Sequence, residues 1–155
     1  MRIAFIRPSM TGARSRDAME PLVFAILAAR TPRAVETVLY DERLAPIPLD
    51  APADLAAITV ETYTARRAYQ IADAFRARGV PVVMGGIHAT LRPEEALEHV
   101  DCVVTGEAEA VWPTVVRDAA RGRLQPRYQQ DELPPLDNVQ PDRRIFAGKR
   151  YAPAA

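Results

Sequence analysis

Val83-Met84-Gly85-Gly86-Ile87-His88-Ala89-Thr90 and, further along, Val103-Val104-Thr105-Gly106-Glu107-Ala108-Glu109 decide how this chain folds. Each begins as an apolar run and ends in glycine and polar residues. Each is followed by helix-forming sequence. Two strands that end this way place two loops on the same edge of a parallel sheet. In open α/β sheets ligands bind at the carboxyl ends of the strands, so the pair reads as the rim of a binding site.

The rest of the chain supports that frame. Arg2 to Ile6 is a short apolar run and predicts a central first strand. Arg7 to Glu20 is polar and reads as a loop. Pro21 suits the first turn of a helix running to Ala29. Residues 35–40, 56–60, 80–84 and 101–104 predict four further strands. Between them Ala68, Ile71, Ala72 and Phe75 mark one face of a helix, with Thr64 at its N-cap position and Gly79 as its stop. Leu44 to Asp54 carries Pro46, Pro48 and Pro52 and predicts no regular element. Pro93-Glu94-Glu95 starts a short helix, with proline and acids where the first turn favours them. Trp112, Val115, Val116 and Ala119 line a last one, ending near Gly122. Alternation at this spacing predicts a doubly wound, flavodoxin-like (Rossmann-like) sheet of five parallel strands in the order 2-1-3-4-5.

The composition changes after Gly122. Pro126, Pro134, Pro135, Pro141 and Pro153 fall in the remainder, with no visible period. Residues 1–122 therefore read as the α/β domain and 123–155 as an arm or linker without a sixth strand-and-helix unit. Leu124, Tyr128, Leu133, Leu136, Ile145, Phe146 and Tyr151 are too many apolar residues for a solvated tail. The arm is expected to pack on its own domain or on a second copy, which would make a homo-oligomer.

At 155 residues with 48% apolar content the chain suits one globular domain. Twenty basic and twenty acidic residues cancel, which gives no electrostatic case for nucleic acid or an anionic membrane. The opening apolar run stops at Arg7-Pro8, too short for a signal core, and no run suits a membrane span. A cytoplasmic protein is the expectation. The single cysteine, Cys102, lies in a buried strand context and reads as a small hydrophobe. With His88 and His99 in separate elements, the sequence presents no clustered set of metal ligands.

The rim residues admit plain readings beside functional ones. Gly85-Gly86 fits either a tight strand-to-helix turn or the close approach of a bulky ligand. Glu107 and Glu109 fit either helix capping or acceptance of ligand hydroxyls and amides. The loop after the first strand has neither a Gly-x-Gly-x-x-Gly pattern nor a Gly-Lys-Ser/Thr phosphate loop. Its Ser9, Thr11, Gly12 and Ser15 give only a weak signal for a flavin phosphate. The third strand ends in Glu61 and threonines, where a phospho-acceptor domain would have an aspartate.

The combination of Ile3-Ala4-Phe5-Ile6-Arg7-Pro8, Ile58-Thr59-Val60-Glu61-Thr62-Tyr63-Thr64, Gly85-Gly86-Ile87-His88-Ala89-Thr90, Pro93-Glu94-Glu95 and Gly106-Glu107-Ala108-Glu109 resembles the N-terminal cobalamin-binding domain of cobalamin-dependent radical SAM enzymes. That family includes the anaerobic magnesium-protoporphyrin monomethyl ester oxidative cyclase and many methyltransferases. The resemblance runs from about Met1 to Tyr151. It implies cobalamin over the carboxyl edge, with the nucleotide tail running into the crevice. Gly85 and Gly86 would admit the tail, Thr59, Thr62 and Thr64 would hydrogen-bond around it, and Gly106 and Glu107 would line the other side. Arg7, Pro8, Ser9, Tyr63, His88, Thr90 and Glu109 complete the implied cofactor-binding set. His88 is expected on the rim and not as a cobalt ligand.

Two departures qualify the resemblance. The Asp-x-His-x-x-Gly motif is absent, and its place reads Pro8-Ser9-Met10-Thr11-Gly12, so no lower cobalt ligand is assigned. The Cys-x-x-x-Cys-x-x-Cys motif is also absent. An iron–sulfur cluster and S-adenosylmethionine would belong to a separate radical SAM barrel in cis, which Lys149-Arg150-Tyr151 would approach. The chain by itself is expected to lack catalytic activity. An unrelated flavodoxin-like module for flavin, a nucleotide or a protein partner is the competing expectation, and an autonomous enzyme ranks behind both.

Overall fold

The computed structural model of the chain describes residues 1–12, 14, 15, 18–130 and 140–152. Strand β1 (Arg2–Arg7) leads through the first loop to helix α1 (Leu22–Ala29). Strands β2 (Glu36–Asp41) and β3 (Leu55–Thr59) follow, then a single 3₁₀ turn at Thr62–Thr64 and helix α2 (Ala65–Arg76). Strand β4 (Val82–Gly85) leads into two short helices, α3 (Ile87–Leu91) and α4 (Pro93–Leu97). Strand β5 (Cys102–Thr105), helix α5 (Trp112–Ala120), strand β6 (Arg127–Gln129) and a 3₁₀ turn at Arg143–Phe146 complete the order.

The sheet is parallel, in the order β2-β1-β3-β4-β5-β6. The flavodoxin-like arrangement expected from the sequence is present, with a correction at its edge. Among the described residues the sheet has six strands and not five, because Arg127–Gln129 pairs with Val103–Thr105. The sixth strand is short and its side chains are half-buried or exposed. It forms because the outer edge of β5 has backbone groups to satisfy, as in the bond from Val103 N–H to the Pro126 carbonyl. A second difference is α3, which begins directly after Gly86, ahead of the helix that Pro93 signals.

Alternate residues of each strand point to opposite faces, and the core divides accordingly. Ala4, Ile6, Ala56, Ile58, Val82 and Met84 pack against α2 through Ala68, Ile71, Ala72 and Phe75. Ile3, Phe5, Leu39, Leu55, Ala57, Val83 and Val104 pack against α1 and α5 through Phe24, Leu27, Trp112 and Val115. Complete burial of a side chain such as Phe5 or Phe75 contributes roughly 1.5–3 kcal/mol. Phe5 sits between Phe24 and Trp112, with ring centroids 5.3 and 5.6 Å away. The Trp112 indole N–H donates to Thr31 Oγ1 at 2.9 Å, and that hydroxyl donates to the Leu27 carbonyl at 2.8 Å.

The arm lies on its own domain. Phe146 is buried in the α1–α5 core, with Leu124, Tyr128, Ile145 and Tyr151 packed against that cluster. Asp142 N–H donates to the Ala25 carbonyl and Ala152 N–H to the Ala18 carbonyl. Tyr151 Oη donates to Asp41 Oδ2 at 3.0 Å. Leu133 and Leu136 lie outside the described residues. Cys102 is buried, and burial pushes its thiol up to about 12.

Candidate functional site

A cavity of about 370 Å³ opens between the carboxyl halves of β3, β4 and β5 and the helices α1 and α5. Val23, Phe24 and Leu27 form one wall, Ala57, Val83 and Val104 the sheet side, and Trp112 closes the base. Thr59, Gly85, Gly86, Ile87, Thr90, Gly106, Glu107 and Glu109 surround the mouth. The loop after β5 is tied to α3 by the bond from Gly106 N–H to Thr90 Oγ1, 3.0 Å long. The chemistry is that of a slot for a flat apolar group with polar recognition at its entrance.

The adjacent glycines have different reasons to lack a side chain. Gly86 has φ +108°, and a Cβ there would stand 2.7 Å from the Val60 carbonyl oxygen and 3.0 Å from Val60 N. Its glycine is imposed by the turn that starts α3. Gly85 has ordinary extended backbone. A Cβ there would meet Val104 at 3.6–3.8 Å, a normal contact. Nothing in the backbone demands glycine at 85, and its bare Cα leaves the cavity wall open. The two readings of Gly85-Gly86 divide between the two residues.

Glu107 and Glu109 precede α5, whose N-cap is Val111 and which has no side-chain cap bond and no acid in its first turn. Capping therefore does not account for them. Glu109 Oε2 is buried without a hydrogen-bond partner among the described residues. A buried carboxylate oxygen left unsatisfied costs several kcal/mol in a dry site, so a ligand hydroxyl or amide N–H entering the cavity has an acceptor waiting.

The remaining sequence candidates fall elsewhere. Arg7, Pro8, Ser9, Tyr63 and Thr64 line a smaller cleft of about 80 Å³ at the ends of β1 and β3, which shares Thr59 with the cavity. Thr62 and Tyr63 border an open depression with Ile87. Thr64 stands at the N-cap position of α2 but makes no cap bond. Its hydroxyl accepts from Glu61 N–H and donates to the Glu61 carbonyl, both at 3.0 Å. His88 is buried on the opposite face, in the α2 layer. Its Nε2 lies 3.0 Å from Tyr69 Oη and 3.3 Å from Glu95 Oε1, and its Nδ1 3.4 Å from Thr62 Oγ1. The hydrogen bond from His88, with that from Tyr69, holds the Glu95 carboxyl below its usual range. Burial and the Glu95 bond push the Tyr69 phenol up to about 12.

The sequence reading missed Val23, Phe24, Leu27 and Trp112 as cavity walls. The signal was present. Leu22–Ala29 is apolar all round, whereas a helix with one solvated face carries polar residues on it.

Comparison with known proteins follows the same lines. Residues 25–116 match the family described as B12 binding domain. The chain is 41% identical over 121 residues to bacteriochlorophyllide d C-8(2)-methyltransferase of Chlorobaculum tepidum, covering 77% of this chain and 27% of that protein. It is 34% identical over 129 residues to bacteriochlorophyllide d C-12(1)-methyltransferase of the same organism, covering 82% of this chain and 28% of that protein. The chain thus spans about a quarter of the length of the curated relatives it matches.

Proposed function

The chain belongs to the B12-binding domain family, whose cofactor is cobalamin, and from that premise we propose that it is the cobalamin-holding module of a larger radical SAM methyltransferase. The nucleotide tail enters the cavity between α1, α5 and the sheet, and the corrin rests over the carboxyl edge. The observation that carries this reading is the open apolar slot with the unsatisfied Glu109 Oε2 at its mouth. When bound, cobalamin supplies the cobalt-centred chemistry of methyl transfer. The chain's own residues do the holding. Phe24, Leu27 and Trp112 exclude water from the slot, bare Gly85 gives access, and Thr59, Thr90, Glu107 and Glu109 offer hydrogen bonds around the entrance.

Similarity to the two bacteriochlorophyllide d methyltransferases favours methylation of a chlorophyll-type tetrapyrrole over oxidative cyclisation by the parent enzyme. The iron–sulfur cluster and S-adenosylmethionine belong to a barrel in cis, and the module alone carries no catalysis. Its surface fits a covered edge. Met10, Met19, Leu22, Tyr63, Ile87 and Leu91 are exposed, and all lie on segments at or leading from that edge. Such a concentration marks a contact surface. Without a covering domain the isolated module self-associates through this rim, which light scattering measures. Among the described residues no helix is long and apolar enough to cross a membrane.

The test is direct. The protein is incubated separately with hydroxocobalamin and with flavin mononucleotide, desalted, and its absorbance recorded. Near-stoichiometric retention of the corrinoid without flavin is expected. Retention of flavin without the corrinoid overturns the assignment.

A further inference from the structure

The cleft beside the cavity holds a second set of groups that the tail slot does not use. Arg7 closes β1 with its guanidinium largely covered, yet it makes no hydrogen bond with any described residue. Its nearest carboxylate oxygen, Glu61 Oε1, is 3.7 Å away, beyond hydrogen-bond length. Its planar fork of N–H donors is thus uncommitted among the described residues, and 23% of the side chain is open to solvent. Ser9 lines the same cleft and is 6% exposed, and its hydroxyl has no partner among the described residues. Its backbone N–H is already committed to Glu42 Oε2 at 3.0 Å.

The neighbours do not relieve this surplus of donors. Arg43 also borders the cleft and has partners of its own. Its Nε and Nη2 donate to Asp41, and Nη2 donates again to the Met19 carbonyl. The Thr64 hydroxyl is spent on the Glu61 backbone. Burial and the adjacent Arg43 lower the pKa of Arg7. Among the described residues Glu61 is the one carboxylate on the cleft wall, and its side chain is 39% exposed and engaged in a capping box with Thr64. A volume of about 80 Å³ is two to three times the roughly 30 Å³ share of one water, room for one tetrahedral oxyanion.

We propose that Arg7 and Ser9 form an oxyanion subsite that takes a phosphate-type group through the Arg7 fork and the Ser9 hydroxyl. Guanidinium–phosphate pairs are among the stronger charge-assisted hydrogen bonds, and the fork suits two oxygens at once. The group has two sources of the same chemistry: the phosphodiester of a cobalamin tail, or an independent phosphate-bearing ligand. Thr59, common to the cleft and the cavity, makes the two sites neighbours.

The full chain is titrated with inorganic phosphate while the Arg7 Nε–H resonance is followed by NMR. A saturable shift is expected. Arg7→Met weakens phosphate on the order of tenfold or more, Arg7→Lys less, and Ser9→Ala by a few-fold. Glu61→Gln tightens it, because the competing carboxylate is gone. The titration is then repeated in the presence of hydroxocobalamin and of cobinamide, which lacks the nucleotide tail. Displacement by cobalamin alone assigns the subsite to the tail phosphodiester, and displacement by neither assigns it to a separate ligand. An Arg7 resonance indifferent to phosphate overturns the proposal. So does an Arg7→Met chain that is folded by circular dichroism and binds phosphate like the wild type. If Arg7→Met fails to fold, the same comparison on Arg7→Lys decides. Failure of cobalamin to bind leaves the phosphate titration readable, so the two assignments fail separately.

Discussion

The two faces of the sheet are built alike and finished differently. On the α2 face every polar group around His88 is answered: Tyr69, Glu95 and Thr62 surround the imidazole, and Tyr69 stacks on His99 with ring centroids 4.2 Å apart. Buried Glu42 takes Arg67 through a fork with contacts of 2.6 and 2.9 Å. On the α1–α5 face the layers part toward the carboxyl edge, leaving a cavity and an unanswered carboxylate oxygen. A polar cluster whose members satisfy one another is structural, and a buried acceptor without a partner leaves a place for something else.

That contrast can be broken by substitution. The largest effect is expected at Gly86. Gly86→Ala forces a side chain onto positive φ and against the Val60 backbone, which should cost about 2 kcal/mol or more, read as a lower denaturation midpoint. Next is the α2 face. His88→Ala removes the partner of Tyr69 and Glu95 and should cost about 1–3 kcal/mol, while the absorption spectrum of bound cobalamin stays as in the wild type. A changed cobalt spectrum would move His88 to the other face. Gly85→Val should reverse the pattern of Gly86→Ala. Stability shifts by under about 1 kcal/mol, while cobalamin retention falls on the order of tenfold. Unchanged retention would make both glycines a matter of the turn. Glu109→Leu should lower retention by a few-fold and leave stability level or slightly raised, since an unsatisfied acceptor disappears. The smallest effect belongs to pH. The Glu95 carboxyl has a depressed pKa in the fold, so its contribution is present above the unfolded value of about 4.3 and is lost as pH falls through the lower folded value. Glu95→Gln should remove that contribution, slightly lowering stability above the unfolded value and flattening the acid limb of the stability–pH curve.

The sheet was legible because β1, β3, β4 and β5 are buried apolar runs, and burial is what hydrophobic pattern encodes. Strand β6 was not, because Arg127-Tyr128-Gln129 owes its conformation to the backbone edge of β5 and to no side-chain pattern. The rim loops were legible in position and not in use. Sequence could say that two glycines end β4, but whether each answers to backbone or ligand depends on φ and on Val60 and Val104, which are remote in the chain. His88 turned away from the rim for a similar reason. Helix α3 starts one residue before it, and a helix turns each successive residue by about 100°, which carries His88 under the sheet edge while Ile87 and Thr90 stay at the cavity.

Trp112 has a further consequence. The chain contains one tryptophan, and it is fully enclosed in the core with its ring against Phe5 and its edge on the cavity. Its emission therefore reports from a single place, and that place is the base of the slot. A strongly absorbing ligand arriving there dims the fluorescence by energy transfer, with no dye attached and, when excitation is selective for tryptophan over the five tyrosines, no second emitter to subtract. The residue that seals the slot against water also serves as its built-in optical gauge.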